Sequence, residues 1–270
     1  MSNQKVVLIT GASSGVGQST GRLLSQKGYK VFGTTRNPAS AKAIPAIEMV
    51  ALDVRDDNSV VACVEAVTSQ VSHIDVLVNN AAYELAGALE ETSLEEAKAQ
   101  FETNFFGVVR MVKAVLPSMR QQKRGQIINV SSFSGLSAIP FLGIYSASKF
   151  ALEGYTEALR MELKPFDIHV SLTEAAFLKT PMMDKRQASA VRLKEYDPWR
   201  QRAFDAIHNY EQKAPGPELV SETILKIISS KTPQLHYLIG SQAKFFSSLK
   251  WLLTAGAYER GKMGNFGLGK

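Results

Sequence analysis

Short β-rich runs alternate with longer stretches of helical periodicity along the first two-thirds of the chain, and this rhythm constrains the fold most. The runs are Val6–Thr10, Lys30–Thr35, Glu48–Val54, Ile74–Asn79, Gln126–Ser131 and Ile168–Leu172. Between them lie apolar residues at helical spacing, such as Phe105, Val108, Val109, Val112 and Leu116; a further helix is expected from about Gly17 to Lys27. Strands that are apolar almost throughout are buried on both faces, so helices must cover both sides of a parallel sheet. Right-handed crossovers then give an α/β, doubly wound Rossmann-type fold.

Two regions break the rhythm. Residues 176–214 are charged, rich in Met, Arg and Gln, and carry no strand signal. An insertion of that length after the sixth strand is expected to be functional, as a lid or binding segment. Pro215-Gly216-Pro217 ends it, Glu218–Ser230 resumes as a helix, and Leu235–Ile239 reads as a strand. The tail from Phe245 to Lys270 mixes Phe246, Leu249, Trp251, Leu252 and Leu253 with lysines. With no internal repeat or linker, residues 1–270 read as one domain.

Composition narrows the function classes. The chain is 45% hydrophobic and 21% charged, in the range of soluble globular proteins. Its net charge of +6 is dispersed, and the densest basic run, Met119-Arg120-Gln121-Gln122-Lys123-Arg124, suits a helix C-terminus, so no nucleic-acid partner is expected. One cysteine, Cys63, excludes an intramolecular disulfide and agrees with a reducing compartment. No signal-peptide pattern or long apolar span is evident, and a cytoplasmic location is expected. His73, His169, His208 and His236 lack metal-ligand spacing, so no metal is expected.

Thr10-Gly11-Ala12-Ser13-Ser14-Gly15-Val16-Gly17 lies where the first strand meets the first helix. Glycines there permit a tight turn and let backbone N–H groups approach a pyrophosphate at the helix N-terminus. At the end of the second strand, Thr34-Thr35-Arg36-Asn37 offers an arginine and no acid. An acid would bind the adenosine ribose of NAD(H); Arg36 suits the extra phosphate of NADP(H), which is the expected cofactor.

The Gly-x-x-x-Gly-x-Gly spacing is followed by Asp53-Val54, Asn79-Asn80-Ala81, Asn104, Ser132 and Tyr145-x-x-x-Lys149. In this order the set resembles the short-chain dehydrogenase/reductase family over nearly the whole chain. Its layout is similar to the 17β-hydroxysteroid-dehydrogenase-like and retinol-dehydrogenase-like branch. The resemblance implies a nicotinamide cofactor held by Gly11, Ser13, Ser14, Gly15, Val16 and Gly17. It also implies that Asp53 meets the adenine edge, Val54 packs beside it, and Asn80, Ala81 and Ala82 approach the ribose. Leu178 and Thr180 would then reach the nicotinamide carboxamide. Two positions depart from the pattern: Ala82 stands where the family has glycine, and Ala175-Ala176 where it has Pro-Gly. Without that pair the loop's rigidity and permitted backbone shapes change, so altered loop order is expected.

Tyr145 and Lys149 are four residues apart, which sets both side chains on one helix face. A free phenol, with a pKa near about 10, is a poor base at neutral pH. A nearby ammonium is expected to lower that value. By resemblance, Tyr145 exchanges a proton with the substrate oxygen, Lys149 also bonds the nicotinamide ribose, and Ser132 bonds the substrate oxygen. Asn104 would support a water linked to Lys149, while Ser131 would serve the structure.

By the same resemblance, Phe133, Ile139, Phe141, Leu142, Phe177, Met182 and Met183 would surround the approach to these groups, and their Met and aromatic side chains suit a lipophilic carbonyl or alcohol. The resemblance implies a homodimer or homotetramer through the helices carrying Asn104 and Tyr145. The tail's aromatic residues beside Lys244 and Lys250 would permit membrane contact, although core or subunit packing is the favoured reading. The rival function is a nucleotide-sensing or scaffold protein that keeps the fold without turnover.

Overall fold

A computed structural model describes residues 4–40, 44–45 and 47–269, apart from the side chains of Ser40 and Trp251. Seven parallel strands form one sheet: β1 (Val6–Ile9), β2 (Lys30–Thr35), β3 (Glu48–Ala51), β4 (Val76–Asn79), β6 (Gly125–Val130), β7 (Ile168–Ala175) and β9 (His236–Ile239). Their order across the sheet is β3-β2-β1-β4-β6-β7-β9, with the reversal at β1 and β4. The doubly wound fold follows from how each strand divides its side chains. Val6 and Leu8 of β1 enter one core, whereas Val7 and Ile9 enter the other.

Helices cover both faces. On one face lie α2 (Asp57–Thr68), α4 (Gly107–Gln122) and α5 (Gly143–Leu163), contributing Cys63, Met111, Val112 and Leu152 to the core. On the other, α1 (Gly15–Gln26) and α7 (Glu218–Ser229) bring Leu24, Val220 and Ile224 against Val78 and Ile128. Local chemistry sets several ends. Asp56 caps α2 by accepting from the Ser59 N–H, and Ser93 and Glu96 form a capping box on α3 (Leu94–Phe101). Between α3 and α4, residues Glu102–Phe106 form a π-helical turn, which places Asn104 in a slipped hydrogen-bond ladder rather than a regular helix.

The segment 176–214 contains more structure than its sequence signals. Two-residue strands β5 (Leu85–Ala86) and β8 (Gln187–Ala188) pair in parallel, and α6 (Asp197–Gln212) follows. Further bonds fasten it: Leu193 N–H to Glu91 Oε1 at 2.7 Å, Ala190 N–H to Glu96 Oε1 at 2.8 Å, and Arg200 to Glu91. Arg186 lies between Glu84, outside the segment, and Glu211 of α6 within it, 2.7 Å from Glu84 Oε2 and 2.6 Å from Glu211 Oε1. The tail folds as α8 (Ser241–Leu252) and α9 (Ala255–Asn265), placing Phe246 and Leu249 around a small apolar chamber beside Phe133, Ile139 and Phe177. Among the described residues, no helix is long and apolar enough to cross a membrane.

Candidate active site

Every strand of the main sheet points its C-terminal end toward the same edge, where open parallel sheets bind ligands. A cavity of about 560 Å³ occupies that edge and runs from the glycine loop to segment 176–214. Of the cofactor residues expected from sequence, it is lined by Gly11, Ser13, Ser14, Gly15, Val16, Arg36, Asp53, Val54, Asn80, Ala81, Ala82, Leu178 and Thr180. Ser132, Tyr145 and Lys149 line its far end. Gly17 and Asn104 stand behind the wall.

The glycine loop is a cradle in which two positions admit no side chain. Gly11 has φ +66°, and a Cβ there would lie 2.9 Å from Ala81 Cα. A Cβ on Gly17 would meet the Gly11 carbonyl oxygen at 2.5 Å and Asn80 Nδ2 at 2.6 Å. Asn80 holds this turn by donating to the carbonyls of Thr10 and Gly11 at 2.9 and 3.0 Å. Thr10 Oγ1 in turn accepts from the Asn80 and Ala81 N–H groups. Ser14 occupies the α1 N-cap without using its side chain as a cap. A helix N-terminus framed by small residues in this way fits a pyrophosphate.

At the other end of the loop, Arg36 lines the cavity and its charge reaches Asp53. Asp53 is gripped by Arg55, whose Nε and Nη2 lie 2.9 and 2.6 Å from the two carboxylate oxygens. That hydrogen-bonded pairing holds the Asp53 carboxyl down at about 2. Arg55 was not among the sequence candidates, although its place two residues after Asp53 was visible. Thr180 sits over Gly15, its Cβ 3.8 Å from where a Cβ of Gly15 would be.

Strand β7 continues through Ala175, which pairs with Ile239 of β9. The first of the two replaced positions therefore belongs to the sheet. Lys179 N–H then bonds the Pro215 carbonyl at 2.9 Å and anchors the loop beyond it.

Tyr145 and Lys149 share one face of α5 and are both buried. Lys149 Nζ donates to the Val130 carbonyl at 2.8 Å and lies 5.8 Å from the centre of the Tyr145 ring. Burial pulls the Lys149 ammonium down to about 8, against the raising charges of Glu153 and Glu84. Tyr145 differs from the sequence expectation. Burial and the Glu84 charge push its phenol above the ordinary value, outweighing the Ser132 hydrogen bond and the Arg186 charge. The expected lowering by Lys149 does not set the balance: the cost of desolvating a phenolate dominates, and the opposing contributions come from Ser132 and Arg186.

Ser132 begins the 3₁₀ turn Phe133–Gly135, and its Oγ accepts from the Ser134 N–H at 3.1 Å. Asn104 spends its carboxamide on structure. Its Oδ1 accepts from the Tyr83 N–H at 3.1 Å, and its Nδ2 donates to the Tyr83 carbonyl and to Ser148 Oγ. Glu84, Arg186 and Glu211 also escaped the sequence reading; Glu84 and Glu211 line the cavity and only the fold brings them to Arg186.

Residues 5–190 match the family model for short chain dehydrogenases. The chain is similar to 3-ketodihydrosphingosine reductase of Bacteroides thetaiotaomicron, with 42% identity over 92% of this chain and 93% of that protein. It is 36% identical to human 17-beta-hydroxysteroid dehydrogenase type 1 over 86% of this chain and 76% of that one. Among solved structures, a short-chain dehydrogenase from Streptomyces avermitilis superposes with a TM-score of 0.83 at 29% identity, covering 99% and 98% of the two chains.

Proposed function

The chain belongs to the short-chain dehydrogenase family, and on that premise we propose that it is an NADP(H)-dependent oxidoreductase interconverting a carbonyl and an alcohol on a lipophilic substrate. One observation carries this reading: Ser132, Tyr145 and Lys149 line the same cavity as the glycine loop. A bound nicotinamide would supply or accept the hydride. Gly11 to Gly17 would hold its pyrophosphate, Asp53 and Val54 its adenine, and Asn80, Ala81 and Ala82 its ribose. Leu178 and Thr180 would flank the carboxamide.

The protein's own groups manage the proton. Tyr145, with its phenol pushed up, stays protonated at neutral pH and suits donation to a carbonyl oxygen as that oxygen gains charge. Ser132 hydrogen-bonds the same oxygen and stabilises the developing negative charge. Lys149, charged below about 8, holds the cofactor ribose and favours the phenolate left after donation. Because the Asn104 carboxamide is committed to Tyr83 and Ser148, its support for a relay water falls to the backbone of the π-helical turn. Segment 176–214 serves as the lid, and the apolar chamber behind Ile139 and Phe177 accepts part of an extended substrate. The reductase among the relatives favours the reducing direction. Phe106, Phe150 and Met161, exposed on the π-helical turn and α5, suit assembly as a homodimer or homotetramer. The single buried thiol, Cys63, suits a cytoplasmic setting.

Arg36 decides the cofactor. Charge-assisted bonds to a phosphate are worth about 1.5–3 kcal/mol, or roughly 10- to 100-fold. Steady-state reduction of ketones graded in chain length should show higher kcat/KM with NADPH than with NADH. In Arg36→Ala the NADPH value should fall about tenfold or more while the NADH value holds. Equal use of both cofactors by the unaltered protein would refute the assignment.

A further inference from the structure

Tyr145, Lys149 and Glu153 are spaced by four residues along α5, so a buried carboxylate forms the third rung on the face that carries the other two. Glu153 is only 5% exposed. Its Oε1 accepts from the hydroxyl of Ser131, the residue immediately before Ser132. It also packs against Gly135, the last residue of the Ser132 turn. A Cβ on that glycine would stand 2.9 Å from Glu153 Oε1 and 3.1 Å from the Lys149 carbonyl oxygen. The other carboxylate oxygen, Oε2, is buried without a hydrogen-bond partner among the described residues, 3.9 Å from His236 Nδ1.

Each element around Glu153 contributes a group. Lys149 precedes it on α5, and the fully buried Glu174 faces it from β7. His236 on β9 bonds Glu174 Oε1 at 2.6 Å, and Glu157 lies outside, 3.9 Å from His236 Nε2. Tyr237 N–H occupies Glu174 Oε2 at 2.9 Å. Two buried carboxyls and one imidazole thus place polar atoms within 4.8 Å of one another beside the turn. Burial and the neighbouring Glu174 charge push Glu153 above the ordinary carboxylate range; burial does the same to Glu174.

We propose that Glu153 is a positioning residue for the reaction assigned above: it ties the Ser131–Ser132 turn to α5 and lends Lys149 negative charge that Glu174 and His236 regulate. This rests on the functional reading, since only there do Ser132 and Lys149 have work to do. Its electrostatic part has a fixed sign. Glu153 is the largest of the influences that keep Lys149 protonated against burial. Removing its charge must therefore make Lys149 lose its proton at lower pH.

Lysine-selective NMR on the folded full chain, with the Lys149 signal assigned by its loss in Lys149→Arg, reads that midpoint whether or not a substrate is turned over. In Glu153→Gln, which can still accept from Ser131, the midpoint should fall by roughly half a pH unit or more. Glu174→Gln takes away the neighbouring acid that raises Glu153, so it should not lower the midpoint. The exposed Glu157→Gln serves as the control and should leave it in place. In ketone reduction, Glu153→Gln should lower kcat about twofold near pH 8 and leave it level well below pH 7, while KM for NADPH stays within about twofold.

An unmoved Lys149 midpoint in Glu153→Gln would overturn the proposal, and if that variant does not fold, an unmoved midpoint in Glu153→Met would do so. Saturable binding of zinc alone, abolished by Glu153→Gln with the Lys149 midpoint unchanged, would make the cluster a cation site instead. Midpoints that move as stated, with no turnover of any ketone, would sink the functional reading and leave the electrostatic assignment standing.

Discussion

At the scale of the residue, Lys149 has exchanged water for one carbonyl and two distant carboxylates. Its ammonium donates to Val130 at 2.8 Å, and burial brings it down to about 8 from an ordinary 10.5. If reduction needs that ammonium, kcat is level below this value and falls as pH rises through it. The prediction is a pH profile for NADPH-dependent reduction with an alkaline limb near about 8; a limb near the ordinary lysine value would contradict it. Spacing was enough to find Lys149, because residues four apart share a helix face whatever the fold does. The raised phenol of Tyr145 could not be found that way. It depends on burial and on Glu84, and neither is local to the Tyr-x-x-x-Lys motif.

At the scale of the element, segment 176–214 shows why some structure was legible and some was not. The strands of the main sheet are buried on both faces, so their apolar runs stand out; the structure shortens Glu48–Val54 to Glu48–Ala51 and lengthens Ile168–Leu172 to Ala175. Strands β5 and β8 have only two residues each and exist because distant segments meet, so neither carries a period to read. The same holds for Arg186, one arginine in a charged stretch until folding sets it between Glu84 and Glu211. All three side chains are at most 15% exposed, and removing the cation would leave two buried carboxylates facing each other. Breaking a buried pair from one side costs about 3–5 kcal/mol. Arg186→Met should therefore lower Tm and speed hydrogen exchange across 176–214 while β1, β4 and β6 stay protected. Unchanged exchange in the segment would mean that the β5–β8 pairing and the Glu91 contacts hold it without Arg186.

At the scale of the molecule, one cavity joins parts of the chain that lie far apart in sequence: the glycine loop, the Ser132 turn, the face of α5 and segment 176–214. Their order and spacing were readable because a doubly wound sheet delivers every strand's C-terminal end to one edge. The second chamber was not readable. The tail's aromatic residues suit core packing or a membrane surface equally well until α8 and α9 place Phe246 and Leu249 behind Phe177. A protein that merely senses nucleotide would need the glycine loop and Arg36 but not the phenol of Tyr145. The decisive measurement is therefore NADPH oxidation in the presence of a ketone, followed by absorbance for the unaltered protein and for Tyr145→Phe, with NADPH affinity measured on both. The account predicts turnover that falls by about 100-fold or more in Tyr145→Phe while NADPH affinity changes by less than about twofold. Equal turnover by the two proteins, or NADPH binding with no turnover by either across a broad ketone panel, would contradict it.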